Sequence, residues 1–333
     1  MKCYKIDEGE GLNKLKLTEI SEPVLLPGQV KIQWHATTLN YHDYLVSNGS
    51  IPVDKGRIPM SDGAGVIVET GEGVTKWKKG DKVMSLFFPN WIKGIPSREN
   101  TRAISGESVD GYACEYSCLG EEQVTRIPRG YSYGEAATLP CAALTAWRAL
   151  QVEGKIRQED IVLAEGTGGM SIFAIQLAKM TGAKVVATTG SNNKIDRLKA
   201  LGVEEIVNYK EVPAWGKSIY KLTDGGADHV IDIGGNTTMR QSIEAVSIYG
   251  NIYSIGILGG PKGEILFPKL FFKQIHLIGL AVGSGVMQEK MVAAIELSGI
   301  KPVIDKSFDL NELGDAFRYQ ESGAHFGKIV VEW

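Results

Sequence analysis

Cysteine is scarce in this chain: four stand among 333 residues, at Cys3, Cys114, Cys118 and Cys141. Thiols so few and so scattered make no disulfide framework, and reduced cysteines are expected. Cys114 and Cys118 fall in "GYACEYSCLG", which reads as a strand with both on one face. With no further Cys or His nearby, that pair reads as packing rather than as metal ligands. An excess of one charge is lacking too: 36 basic against 39 acidic residues give a formal net charge of −3. No run of like charge points to nucleic acid or to an anionic membrane surface, which leaves a small soluble ligand as the expected partner. No apolar stretch approaches the roughly 18 residues that span a bilayer. The opening "MKCYKIDEGEG" lacks the apolar core of a signal peptide, so a cytoplasmic protein is expected. Internal repeats and low-complexity segments are absent as well.

What is present is a change of rhythm, in a chain long enough for two domains. Up to about residue 125 short β-rich runs such as "QVKIQWHAT", "GAGVIVETG" and "DKVMSLFF" are punctuated by Gly, Pro and Asp, which predicts a compact, mostly antiparallel β domain. From about residue 135 apolar strands at 161–165, 184–188, 205–208, 228–232, 249–255 and 275–280 alternate with amphipathic segments such as "KIDRLKALG". That alternation predicts an α/β domain with a parallel, doubly wound sheet. The tail, 282–333, holds two more helix patterns and two short strands, "KPVIDK" and "GKIVVEW".

The stretch from Leu163 to Lys194, "LAEGTGGMSIFAIQLAKMTGAKVVATTGSNNK", reads as strand, glycine turn, helix, strand. Gly166 permits a tight turn; Gly168 and Gly169, with Thr167 and Met170 beside them, let backbone N–H groups approach a pyrophosphate at the helix start. Ile172, Ile175 and Ala178 form the buried stripe, and Gly182 closes the helix. Two parts of the fingerprint are missing. Ser171 stands where a third glycine would pack helix on strand, and Thr189 stands where an acid would bond a ribose hydroxyl. A plain turn between strand and helix is the alternative reading. The missing acid is informative, because a carboxylate there would repel a 2′-phosphate. Thr189, Ser191 and Lys194 instead offer hydroxyl donors and a cation, which favours NADPH over NADH; Lys194 also fits a solvated lysine at a helix start.

With "TLNYHDYLVSNG" (38–49), "IPMSDGAGVIVETGEGVTKWKKGDKV" (58–83), "AATLPCAALTAWRAL" (136–150), "EGTGGMSIFAIQLAK" (165–179), "VNYK", "IGGNTT" and "HFGKIVV" in order, nearly the whole chain resembles the medium-chain dehydrogenase/reductase superfamily, in its zinc-free quinone oxidoreductase-like branch. The resemblance implies a GroES-like substrate domain from 1–125 and 282–333, a Rossmann NADP(H)-binding domain over 126–281, and catalysis in the cleft. Alcohol dehydrogenases of that superfamily hold a catalytic zinc through a Cys, a His-Glu pair and a second Cys. Here those positions carry Asn40, Ser61-Asp62 and Cys141, and residues 85–110 lack the cysteines of a structural zinc lobe. No zinc is therefore expected, a residual site from Cys141, Asp62 and His42 being the alternative.

Without a metal, a substrate oxygen must be polarised by hydrogen bonds, and "NYHD" supplies the candidates. Asn40 and Tyr41 can donate to an oxygen, and His42 can supply a proton near neutral pH. The alternatives are a turn-capping Asn40, a wall-forming Tyr41 and a surface His42. The resemblance further implies that Thr145 faces the nicotinamide and that Tyr209 and Lys194 flank an adenosine 2′-phosphate. It also implies that Ile257, Leu258 and Val282 pass the carboxamide and that Lys328 reaches a cofactor phosphate. Phe87, Phe88 and Trp91 suit a flat apolar substrate, with core packing as the alternative. The expected activity is NADPH-dependent reduction of a quinone or an α,β-unsaturated carbonyl. A zinc-independent alcohol dehydrogenase or aldehyde reductase is the second reading, and a non-catalytic cofactor-binding protein the third. The apolar "QIHLIGLAVG" (274–283) ends the predicted sheet order and implies pairing with its own copy in a homodimer.

Overall fold

A computed structural model describes residues 1–333. The chain forms two compact units, Met1–Leu144 with Val282–Trp333, and Thr145–Ala281. The first border therefore lies at 144/145, not at 125/126 as expected from sequence. The reason is where residues 126–144 find partners. Val124–Arg126 pairs antiparallel with Lys82–Ser85, and Gly134 of the helix Tyr133–Ala137 lies directly against Val330 and Glu332.

The first unit is built on the strand Gln29–Thr38, whose alternation buries Val30, Ile32, Trp34 and Ala36. It pairs antiparallel with Ala64–Thr70, Tyr116–Gly120 and Lys328–Glu332. The return of the chain end thus joins the sheet made by its beginning, while Ile304–Asp309 adds a parallel edge to Lys328–Glu332. "GYACEYSCLG" is not one continuous strand. The strand begins at Tyr116, and Cys114 sits before it in an isolated bridge to Cys3. All four cysteines are free thiols.

In the second unit the strands are β1 (Ile161–Glu165), β2 (Lys184–Thr189), β3 (Glu205–Asn208), β4 (Ala227–Asp232), β5 (Val246–Ser254) and β6 (His276–Gly279). Its main helices are α1 (Gly169–Thr181), α2 (Ile195–Ala200), α3 (Trp215–Leu222), α4 (Met239–Ala245) and α5 (Phe267–Phe272). All neighbouring strands are parallel and their order is β3-β2-β1-β4-β5-β6, that of a dinucleotide-binding domain. Val162, Leu163 and Ala164 of β1 are wholly buried, as a parallel strand covered on both faces requires. Helix α1 ends where Gly182 takes a left-handed φ of 89°. The order of connections reverses between β1 and β4, so the loops leaving these two strands diverge and open a crevice at their C-terminal ends.

Candidate functional site

The glycine turn leaves β1 with Gly166 at φ 75°, a conformation that disfavours any side chain. Gly166 N–H is tied to the main-chain oxygen of Thr188 on β2 at 3.0 Å. A Cβ on Gly168 would meet no protein atom within 4 Å. The bare backbone there faces room rather than packing, which is what a ligand drawn close to the turn needs. Gly168 caps α1 without a side-chain hydrogen bond. The first helical bond is Ile172 N–H to Gly168 O, leaving the N–H groups of Gly169, Met170 and Ser171 as the open donors of a helix start. Ser171 is fully buried, and its hydroxyl donates to Glu165 O at 2.6 Å, so it clasps helix to strand where a third glycine was expected. These features fit an anionic pyrophosphate. Thr167 lies in the same turn and is nearly buried.

The loop after β2 holds Thr189, Ser191 and Lys194 together. Ser191 N–H donates to Thr189 Oγ1 at 3.2 Å, and Ser191 Oγ donates to Asn193 at 2.7 Å. Tyr209 joins from the end of β3, with its hydroxyl against Gly190, and is partly exposed. Sequence reasoning missed Glu211. Its Oε1 accepts from Asn192 at 2.5 Å and from Asn208 at 3.2 Å, so an acid reaches this loop after all. Parallel pairing sets Asn208 opposite Thr189 and so carries Glu211 there. Ile257 and Leu258, in the loop after β5, are exposed, and Leu258 N–H is anchored to Ile233 O at 3.2 Å. Thr145, on the helical segment Leu144–Trp147, is buried.

The first unit contains a second cluster. Asn40 Nδ2 donates to Asp62 Oδ2 at 2.8 Å and Asp43 Oδ2 at 3.0 Å, with Ser61 Oγ at 3.3 Å. Its Oδ1 accepts from Lys328 Nζ at 2.7 Å. Both ends of this amide are thus committed inside the protein, and Asn40 has no donor left for a substrate oxygen. Asp43 fixes backbone, accepting from Asn40 N–H and Ser61 N–H. Lys328 points inward to Leu39 O at 2.8 Å as well as to Asn40, so the ammonium expected on a cofactor phosphate is held within this unit. Burial first of all lifts the Asp62 carboxyl to about 7, against the pull of Lys328 and the bonds from Asn40 and Thr38. Burial also pushes the Cys141 thiol well up. Nowhere do three His, Cys, Asp or Glu side chains converge as a metal would need. Lys328 Nζ, 3.9 Å from Asp62 Oδ2, would oppose a dication. This donor set does not fit zinc.

His42 is not a surface histidine. Its Nε2 meets Glu107 Oε2 at 2.7 Å, and its Nδ1 lies 3.7 Å from Asp43, too far for a hydrogen bond but close for charge. Burial alone would lower its pKa. The two carboxylates outweigh that and raise it to about 9, so it is an imidazolium at neutral pH rather than a group poised there. Phe87 sets its ring edge-on to His42 at 5.3 Å and to Phe88 at 4.8 Å. All three are buried, Phe87 at 6%, Phe88 at 5% and Trp91 wholly, so the cluster packs as core instead of presenting a wall to a ligand. Of the three candidates in "NYHD", Tyr41 is the most exposed, at 36%, against 20% for the His42 side chain and 9% for Asn40. Val282 is buried at an unusual φ of 44°.

Residues 26–129 match the alcohol dehydrogenase GroES-like domain, and residues 169–298 match a domain described as zinc-binding dehydrogenase, which includes none of Asn40, Ser61, Asp62 and Cys141. A zinc-type alcohol dehydrogenase-like protein of Schizosaccharomyces pombe is 38% identical over 98% of this chain and 97% of its own. The chloroplastic quinone-oxidoreductase homolog of Spinacia oleracea is 28% identical, over 97% and 95%. The crystal structure of an NAD-dependent alcohol dehydrogenase superposes with a TM-score of 0.92 at 30% identity, over 100% of both chains.

Proposed function

The chain belongs to the medium-chain dehydrogenase/reductase superfamily and is an oxidoreductase, and from this premise we propose that it is a zinc-independent, NADPH-preferring reductase of quinones or α,β-unsaturated carbonyls. The observation that carries the cofactor half of this reading is Gly168, whose open face at a helix start without a side-chain cap suits a pyrophosphate. A reduced nicotinamide dinucleotide, its pyrophosphate held there, would supply a hydride. The chain's own part is to hold the dinucleotide through the open N–H groups of Gly169, Met170 and Ser171. The 2′-phosphate falls to Ser191, Lys194 and Tyr209. Tyr41 is the hydroxyl that stabilises the substrate oxygen, since Asn40 is committed internally and His42 is paired with Glu107. Free thiols throughout suit the reducing cytoplasm.

We further propose a homodimer through β6. This strand ends the sheet, its Leu277 is 36% exposed, and Phe267, Phe271 and Phe272 of the neighbouring α5 lie largely in solvent. Such an edge is shielded when it pairs with its own copy.

The deciding experiment is turnover with NADPH and NADH against quinones, enones and aldehydes. Reduction of quinones or enones supports the reading. Activity confined to alcohols and aldehydes replaces it with the alcohol dehydrogenase reading suggested by the other relatives, and no turnover with any of them leaves only cofactor binding.

A further inference from the structure

Beneath the glycine turn two acids share one hydroxyl. Ser242 Oγ lies 2.6 Å from Glu165 Oε1 and 2.7 Å from Asp232 Oδ2, and 3.1 Å from the main-chain oxygen of Thr238. A serine hydroxyl has one proton to donate. With acceptors on three sides, the two short contacts cannot both be made unless one of the acids brings a proton of its own. Asp232 is the better carboxylate, because its Oδ1 also accepts from Gly235 N–H at 2.8 Å and from Thr238 Oγ1 at 2.9 Å. Glu165 is 2% exposed, and its Oε2 is buried with no partner at hydrogen-bonding distance, the Ile233 N–H and Thr238 acting on the carboxyl only from farther off.

We propose that Glu165 is a neutral acid donating to Ser242, which donates to Asp232, and that this proton holds together the loops leaving β1 and β4 so that an anionic dinucleotide can bind. The proposal rests on the reading that the glycine turn takes a dinucleotide. Burial first, then the Asp232 charge, holds the Glu165 carboxyl well above the usual range, and burial raises Asp232 as well. The groups facing Glu165 are Asp232 on β4, Ser242 of α4, Thr238 just ahead of it, the Ile233 backbone N–H, which with the two hydroxyls favours the charged form, and its ladder neighbour Thr188 on β2. Loss of the proton puts two carboxylates on one serine oxygen and adds a negative charge one residue from Gly166. Both effects oppose a pyrophosphate.

The test compares the wild type with Glu165→Gln, whose amide donates to Ser242 in place of the acid. NADH and NADPH binding are titrated by fluorescence from neutral to alkaline pH, and infrared spectra are taken with isotope-labelled glutamate. The wild type should show a protonated carboxyl band that is missing in the variant. Its affinity for both dinucleotides should fall on the order of tenfold as that band disappears, the weight of one added like charge, while Glu165→Gln stays level. Ser242→Ala should weaken binding already at neutral pH. Parallel pH curves for wild type and Glu165→Gln, or no protonated band, would overturn the proposal. A band present in a protein that binds neither dinucleotide would overturn the coupling and, separately, the proposed function, leaving only the neutral acid.

Discussion

Lys328 Nζ donates to Asn40 Oδ1 at 2.7 Å and stands 3.9 Å from Asp62 Oδ2, in a side chain 3% exposed. A fixed ammonium therefore sits beside Asn40 and Asp62. It balances buried carboxylates that would otherwise be costly to enclose.

Removing that cation should be severe. Lys328→Met is expected to cost about 3–5 kcal/mol of unfolding free energy, because it leaves buried acid uncompensated. Adding Asp62→Asn should recover part of the loss. Denaturant unfolding of the two variants checks this; equal stability of wild type and Lys328→Met would mean the ammonium balances nothing.

His42 sets a pH dependence of known sign. Its folded pKa of about 9 lies above the ordinary histidine value of 6.5, so its contribution is complete below 6.5 and disappears as pH rises through about 9. We expect the wild type to lose about 2 kcal/mol more than His42→Gln between neutral pH and pH above 9. Unfolding curves that shift together would argue against the charged pair with Glu107.

If the loop after β2 takes a 2′-phosphate as proposed, Lys194 and Glu211 act on it in opposite directions. Lys194→Ala should weaken NADPH on the order of tenfold and leave NADH nearly unchanged. Glu211→Gln, which removes an anion, should shift the balance toward NADPH a few-fold. Calorimetric titration of both dinucleotides reads both effects, and equal losses for the two cofactors in Lys194→Ala would defeat the NADPH assignment.

Chelation should leave turnover unchanged, and elemental analysis of purified protein should find well under one zinc per chain, since Asp62 and Cys141 are a poor pair of ligands for an ion that takes four. Stoichiometric zinc with chelator-sensitive activity would reverse the proposed mechanism.

For the dimer, light scattering at micromolar concentration should give twice the chain mass, and Leu277→Lys should move it toward monomer. Leu277 is the residue to change because it is exposed, whereas Leu280 is packed inside and its replacement would damage the fold itself. A wild type that is monomeric at every concentration excludes pairing through β6.

The alternation of apolar strands, glycine turns and helices was legible in the chain alone. Ile161 to Gly182 carries its strand, its left-handed turn and its helix stop in local propensity, and these local signals agree with the fold. Distant partners carry no such signal. The antiparallel register that sets Val330 opposite Thr38 brings Lys328 beside Asn40 and directs it inward. The parallel register that sets Asn208 opposite Thr189 carries Glu211 into a loop that reads as free of acid. Residues 126–144 join the first unit, which their sequence does not show, because a segment carries its own periodicity but not the sheet it packs against. Nor does the spacing of His42, Glu107, Glu165 and Asp232 reveal which carboxylates end up against which groups. Their protonation follows from burial and charge at a few ångströms, quantities that exist only once the chain has folded.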